Sequence, residues 1–269
     1  MRDGSEDRVE FVKAELAKTS IPEEYRVARL LAEAGFQTQQ GRSYLGSDGK
    51  PREIDVIGEA PPNLAPDETD TRLHVWLVVE AKHTDAHPWA IMDSGGKHSP
   101  FEIAASAPAS SAVRSSLARI EAEILDVPRF FQQSGPIGHS LVVVGGKQDD
   151  AYDAMSQVVS AAIGLTSTPY AAEAAVLRAM ARSTPEPPAF RYAWPVLVIS
   201  GELFIVDYLT GSATIVPVDR GRVLWHGGPA GRATVVDVVR LGGLSEYAPR
   251  ARQALEDLRT RFYFEARPS

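Results

Sequence analysis

The stretch LHVWLVVEAKHT, residues 73–84, constrains this chain more than any other. Leu73, Val75, Trp76, Leu77, Val78 and Val79 form an apolar run, the pattern of a buried strand. The run turns charged at its C-terminal end, where Glu80 and Lys82 follow two residues apart. Residues two apart on a strand project to the same side. A carboxylate and an ammonium are therefore expected together where a hydrophobic strand leaves the core. Burying an unpaired charge is costly, so the pair requires a partner, a metal or a cleft.

Upstream, Ser20 reads as a helix N-cap, with Pro22 in the first turn and Glu23 three residues after the cap. In the helix that follows, Glu24, Val27, Ala28 and Leu31 recur at i, i+3, i+4 and i+7 and share one face. Glu24 is thus in line with the apolar stripe and Glu23 off it. A first-turn carboxylate favoured by the helix dipole is the structural alternative for Glu24. Gly35 suits a C-cap. Residues 36–45 and 52–58 read as strands joined by a turn at SDGK, 47–50. Asp55 sits among apolar neighbours in the second of them, and a proline-rich acidic loop then leads to the strand at 73–82. The segment 36–82 reads as an antiparallel meander.

Residues 85–110 lack periodicity and read as a loop with one short helix. A helix is expected within 111–132, with Val113, Leu117, Ile120 and Ile124 inward, then a short buried strand at 140–146 and an Ala-rich helix over 150–182. Residues 5–18 suit a loosely attached helix. Beyond the linker-like STPEPPAF, strands are expected at 195–200 and 202–208, joined by a turn at Gly201, and at 214–220 and 234–240, before a closing helix at 246–260. The fold class is α/β, a mixed sheet flanked by helices. Three segments follow: an N-terminal helical extension (1–20), a core (21–184) and a β-rich C-terminal extension (185–269).

The chain has 269 residues, 44% of them hydrophobic, enough for one large α/β domain with an appended segment. No apolar run reaches membrane-spanning length. The charged, amphipathic N-terminus is unlike a signal peptide. The absence of cysteine removes disulfides and thiolate chemistry and suits a cytoplasmic protein. A net charge of −7 gives no support to broad nonspecific binding of nucleic acid, though a local basic groove is compatible with it.

Taken together, Glu24 on a helix, Asp55 on one strand and Glu80 with Lys82 ending the next form a constellation. Two carboxylates on neighbouring strands suit a hard divalent cation such as magnesium. A lysine beside them can orient an attacking water, and the cation can stabilise charge on a phosphoryl oxygen. These residues resemble the PD-(D/E)xK nuclease superfamily, the restriction-endonuclease-like fold. The matching pieces are Glu24, Ile54-Asp55 and Val79-Glu80-Ala81-Lys82, although Ile54-Asp55 lacks the proline of the superfamily's name and a long loop separates the two strands. The resemblance covers about half the chain. It implies an αβββαβ core, here residues 22–146, and Mg2+ or Mn2+ held by Asp55, Glu80 and the Ala81 carbonyl. It implies a catalytic Lys82 and a supporting Glu24. It also implies hydrolysis of phosphodiesters, DNA in preference to RNA, in restriction, repair or phage defence.

Two rivals stand beside this expectation. One is an inactive module of the same fold that binds nucleic acid or protein, which the acidic total favours; the other is a hydrolase of different phosphate esters. The C-terminal strands, residues 190–260, are expected either to extend the sheet or to form an interface, in a homodimer or with a protein partner. Arg114, Arg119 and Lys97 can line a groove or simply be solvated. His83 directly follows Lys82 and either contacts a phosphate or ends the strand in solvent. His83 and His87 lack the companions of a zinc site. GGPAG (227–231) and VVVGGK (142–147) match neither a P-loop nor a dinucleotide fingerprint. Arg220 and His226 have a ribonuclease-like spacing but lie in a strand-like, glycine-rich stretch where that motif needs a helix.

Overall fold

A computed structural model of the chain describes residues 4–45, 50–61, 73–83, 86–93, 95–96, 98–110, 113, 137–167, 190–208, 211–227 and 233–265. Of the sequence-derived elements, residues 47–49 of the expected turn, the acidic loop beyond residue 61, the C-terminal part of the 150–182 helix and the 111–132 helix (Val113 excepted) lie outside them. So do Lys97, Arg114 and Arg119.

The apolar run becomes β3 (Leu73–Lys82), and its lack of alternation has a direct cause. Val75, Leu77, Val79 and Ala81 enter one core with Val27 and Leu31 of helix α2 (Ile21–Glu33). Trp76 and Val78 enter a second core with Met155, Val158 and Ala162 of helix α4 (Gln148–Ser167). A strand covered by helices on both faces has no solvent side on which to place polar residues. Strands β1 (Gln37–Leu45) and β2 (Pro51–Glu59) precede it as the expected antiparallel meander. The remaining strands are β4 (Trp89–Asp93), β5 (Ile137–Val143), β6 (Phe190–Ile199), β7 (Leu203–Asp207), β8 (Thr214–Pro217), β9 (Arg220–Trp225) and β10 (Thr234–Arg240). All ten form one mixed sheet in the order β1-β2-β3-β6-β10-β9-β5-β4-β7-β8. Helix α1 (Gly4–Leu16) leaves Val9, Phe11 and Val12 exposed, while α3 (Pro100–Ser106) and α5 (Leu244–Glu265) share the α2 face.

Two expectations about the sheet are corrected. The fourth strand of the meander's neighbourhood is not the one at 140–146: β5 pairs with β4 and β9, and β6 runs parallel beside β3. The reason is two-sided burial, for β6 is buried from Arg191 to Ile199, whereas β5 exposes His139 and Val142. Gly201 lies in the bend that links β6 to β7, as expected, and β7 then pairs with β4 and β8. The stretch 85–110 contains β4 as well as α3. The middle of the sheet thus comes from residues C-terminal to 185, with β6 paired directly to β3 and β10 paired to β6.

One charge lies deep in this middle. Asp237 on β10 is 3% exposed and accepts hydrogen bonds from Arg222 Nε (2.8 Å), Trp194 Nε1 (3.0 Å) and Tyr247 Oη (2.7 Å). Full burial, with Asp237 beside it, raises the Tyr247 phenol well above its usual range. Tyr247→Phe removes one donor to a buried carboxylate and is expected to cost about 2 kcal/mol in chemical denaturation. An unchanged midpoint would mean the hydroxyl contributes nothing.

Candidate active site

Strands β2 and β3 pair from Glu59↔Trp76 to Val56↔Val79, and the ladder stops there. Asp55 and Glu80 are the next residues on each strand. Past this point β3 continues beside β6 as far as Lys82↔Ile199, leaving the β2-facing backbone of Ala81 without a strand partner. Asp55 supplies one, since its Oδ2 accepts from the Ala81 N–H at 2.8 Å. The N–H and C=O of one strand residue leave on the same side, so the Ala81 carbonyl also opens toward Asp55. On β1 the register steps from Gln40↔Val56 to Arg42↔Ile54, past Gly41 opposite Asp55. Gly41 has φ +62, a backbone conformation that favours glycine. Here the alternation of β2 breaks: Val56 falls in the α2-side core and Ile54 in the α4-side core.

Glu80 and Lys82 continue the Trp76–Val78 row onto the α4 face. Glu80 is 6% exposed. Lys82 Nζ donates to Glu80 Oε1 at 2.7 Å and to Gln157 Oε1 of α4 at 2.8 Å. The lysine is thus held from two sides, one of them an amide that the sequence reading did not single out.

Helix α2 brings two further carboxylates. Ser20 is at the N-cap, but its side chain makes no capping bond. Its hydroxyl instead donates to Glu24 Oε1 at 2.7 Å, which corrects the capping-box expectation. Glu23 is not off the buried stripe. It lies one turn before Val27, and its Oε1 is 3.0 Å from His83 Nδ1, with the two side chains 16% and 29% exposed. At the other end Gly35 adopts φ +88 just past the last turn, as its C-cap role requires.

The electrostatics follow from this crowding. Burial is the main cause pushing the Asp55 carboxyl up to about 7; the Glu80 and Glu24 charges add to it, and the Ala81 N–H and Lys82 oppose it. Burial also pushes Glu80 up, with Lys82 opposing and Glu24 adding. Neighbouring carboxylates that resist ionisation are what a cation would relieve. The candidate donors at the place where β2 and β3 part are all oxygen: Asp55, Glu80 and the Ala81 carbonyl. That set fits a hard divalent cation better than a soft or borderline one. Among the described residues no group of three or more His, Asp or Glu side chains is placed to hold a metal. His87 is exposed, beside Gly145, while His83 faces Glu23.

No family model, curated protein or solved structure matches this chain.

Proposed function

We propose that the chain is a divalent-metal-dependent nuclease that hydrolyses phosphodiester bonds, DNA in preference to RNA. The observation that carries the reading is the placement of Asp55 and Glu80 as the first residues past the end of the β2–β3 ladder, near enough for the Glu80 charge to raise Asp55, with Lys82 bonded to Glu80. The order of elements supports a restriction-endonuclease-like core in a form shifted from the sequence expectation. In this reading α2, β1, β2 and β3 supply the first four elements, α4 and β6 the last two, and β4, α3 and β5 form an insertion between them.

In this site Asp55, Glu80 and the Ala81 carbonyl hold Mg2+ or Mn2+, which when bound supplies Lewis-acid stabilisation of phosphoryl charge and a more acidic water. Lys82 orients the attacking water and stabilises negative charge at the phosphorus. Glu24, fixed by Ser20, adds negative charge that strengthens the attraction for a cation.

Supercoiled plasmid, duplex and single-stranded oligonucleotides and RNA are incubated with Mg2+ or Mn2+ and wild-type, Asp55→Asn or Lys82→Ala protein. Metal-dependent cleavage by the wild type alone is expected. Wild-type protein that cuts none of these, or Lys82→Ala protein that cuts equally well, would sink the reading. Salt-sensitive binding without cleavage would select the binding module. Hydrolysis of a small phosphate ester with all nucleic acids intact would select the other hydrolase. Gln157→Leu is expected to lower kcat about 10-fold with KM little changed, because a catalytic group held loosely loses rate before affinity. Steady-state kinetics checks this; a change confined to KM would contradict it.

A further inference from the structure

His83 is the charged-motif residue that the proposed chemistry leaves unused. It continues the Val75–Ala81 row of β3, so it faces α2, on the opposite side of the sheet from Lys82. There it meets Glu23 at 3.0 Å. Glu23 Oε2 is buried with no hydrogen-bond partner among the described residues, so this carboxylate depends on His83 for its pairing. The next residue is Glu24, whose charge raises both Asp55 and Glu80. The same first turn has given up its side-chain cap, because the Ser20 hydroxyl orients Glu24 instead. A Ser cap is ordinarily worth about 1 kcal/mol. Two side-chain contacts thus fix the start of α2, one from Glu23 to the end of the site strand and one from Ser20 to the adjacent Glu24.

We infer that the Glu23–His83 contact is a tether that sets Glu24 against Asp55 and Glu80, making Glu23 and His83 positioning residues of the active site. The inference rests on the metal-nuclease reading, since Glu24 must contribute to the site for its position to matter. The contact ties α2 to the end of β3, two residues from the Ala81 carbonyl. Cutting it frees the first turn to shift, and a misplacement of about 1 Å can cost on the order of 100-fold in rate.

The test is a cycle of four proteins: wild type, His83→Ala, Glu24→Gln and the double variant, assayed for DNA cleavage and for Mn2+ binding by calorimetry. His83→Ala is expected to lower kcat about 10-fold or more and to weaken Mn2+ binding. In the Glu24→Gln background the same change is expected to alter either readout less than about twofold, the non-additivity of residues acting as one unit. His83→Gln retains an amide donor for Glu23 and is expected to recover most of the wild-type rate, which a general loss of folding would not allow. Denaturation midpoints identify any variant that is merely unfolded, and His83→Gln then carries the comparison. Active wild-type protein with additive losses, or without rescue by glutamine, overturns the tether and leaves the nuclease reading standing. A wild type that neither cleaves nor binds Mn2+ removes the nuclease reading and the tether with it.

Discussion

Lys82→Met is expected to lower metal-dependent cleavage by about 10³-fold while divalent-cation binding persists, the scale on which a positioned donor that stabilises transition-state charge contributes. Methionine keeps most of the apolar stem between β3 and α4 and removes only the ammonium that bonds Glu80 and Gln157. Glu80 then loses the cation that opposes its burial, so its carboxyl rises further in metal-free protein. A bound divalent cation takes over that opposing charge, which is why binding survives. Lys82→Arg is expected to recover little, because a planar fork that never deprotonates does not substitute for a compact ammonium between two fixed acceptors. Single-turnover cleavage with saturating Mn2+, read beside Mn2+ calorimetry, separates the two roles. Retention of a tenth or more of the wild-type rate by Lys82→Met would remove lysine from the chemistry. Loss of both cleavage and Mn2+ binding would make it a structural prop for Glu80.

What the sequence disclosed about this site depended on how local each signal is. Glu80 and Lys82 share a face because a strand alternates, and Asp55 stands out because a carboxylate among Ile54, Val56 and Ile57 needs a reason. Gln157 carried no such signal. It lies 75 residues from Lys82 in a helix whose periodicity records only its packing face. The neighbour of β3 was equally hidden. Both 140–146 and 195–200 are apolar, and what separates them is the two-sided burial of β6, a property of the folded sheet. Capping shows the same limit from the other direction. Ser99 and Glu102 form a reciprocal capping box on α3, within a stretch that has no hydrophobic periodicity. Ser20 and Glu23 carry the same residue types at the same spacing and form none, because the Glu24 carboxylate takes the Ser20 hydroxyl and His83 takes Glu23.

Asp55→Asn is expected to abolish cleavage and yet make the metal-free protein more stable at pH 8. The sign follows from proton linkage. Burial, with Glu80 and Glu24 nearby, pushes the folded-state Asp55 up to about 7 from its ordinary 3.8. Below the ordinary value both folded and unfolded chains hold the proton. Between the two values the unfolded chain has released it and the folded chain has not, so stability falls as pH rises through this window. Above about 7 both are ionised and the loss is complete, on the order of 4 kcal/mol at about 1.4 kcal/mol per pH unit. Asparagine does not ionise and still offers Oδ1 to the Ala81 N–H, so it keeps the bond at the end of the ladder and removes the repulsion. A bound cation offsets the same repulsion in the wild type, and at a hundredfold excess over its Kd stabilises by about 2.7 kcal/mol. Urea denaturation at pH 5, 6, 7 and 8, with and without Mn2+, reads all of this together. The wild type is expected to lose stability with pH more steeply when metal-free than with Mn2+, and Asp55→Asn to show a shallower pH slope and no response to Mn2+. An Asp55→Asn protein less stable than wild type at pH 8, or one that Mn2+ still stabilises, would place the cation elsewhere and make Asp55 a backbone cap rather than a ligand.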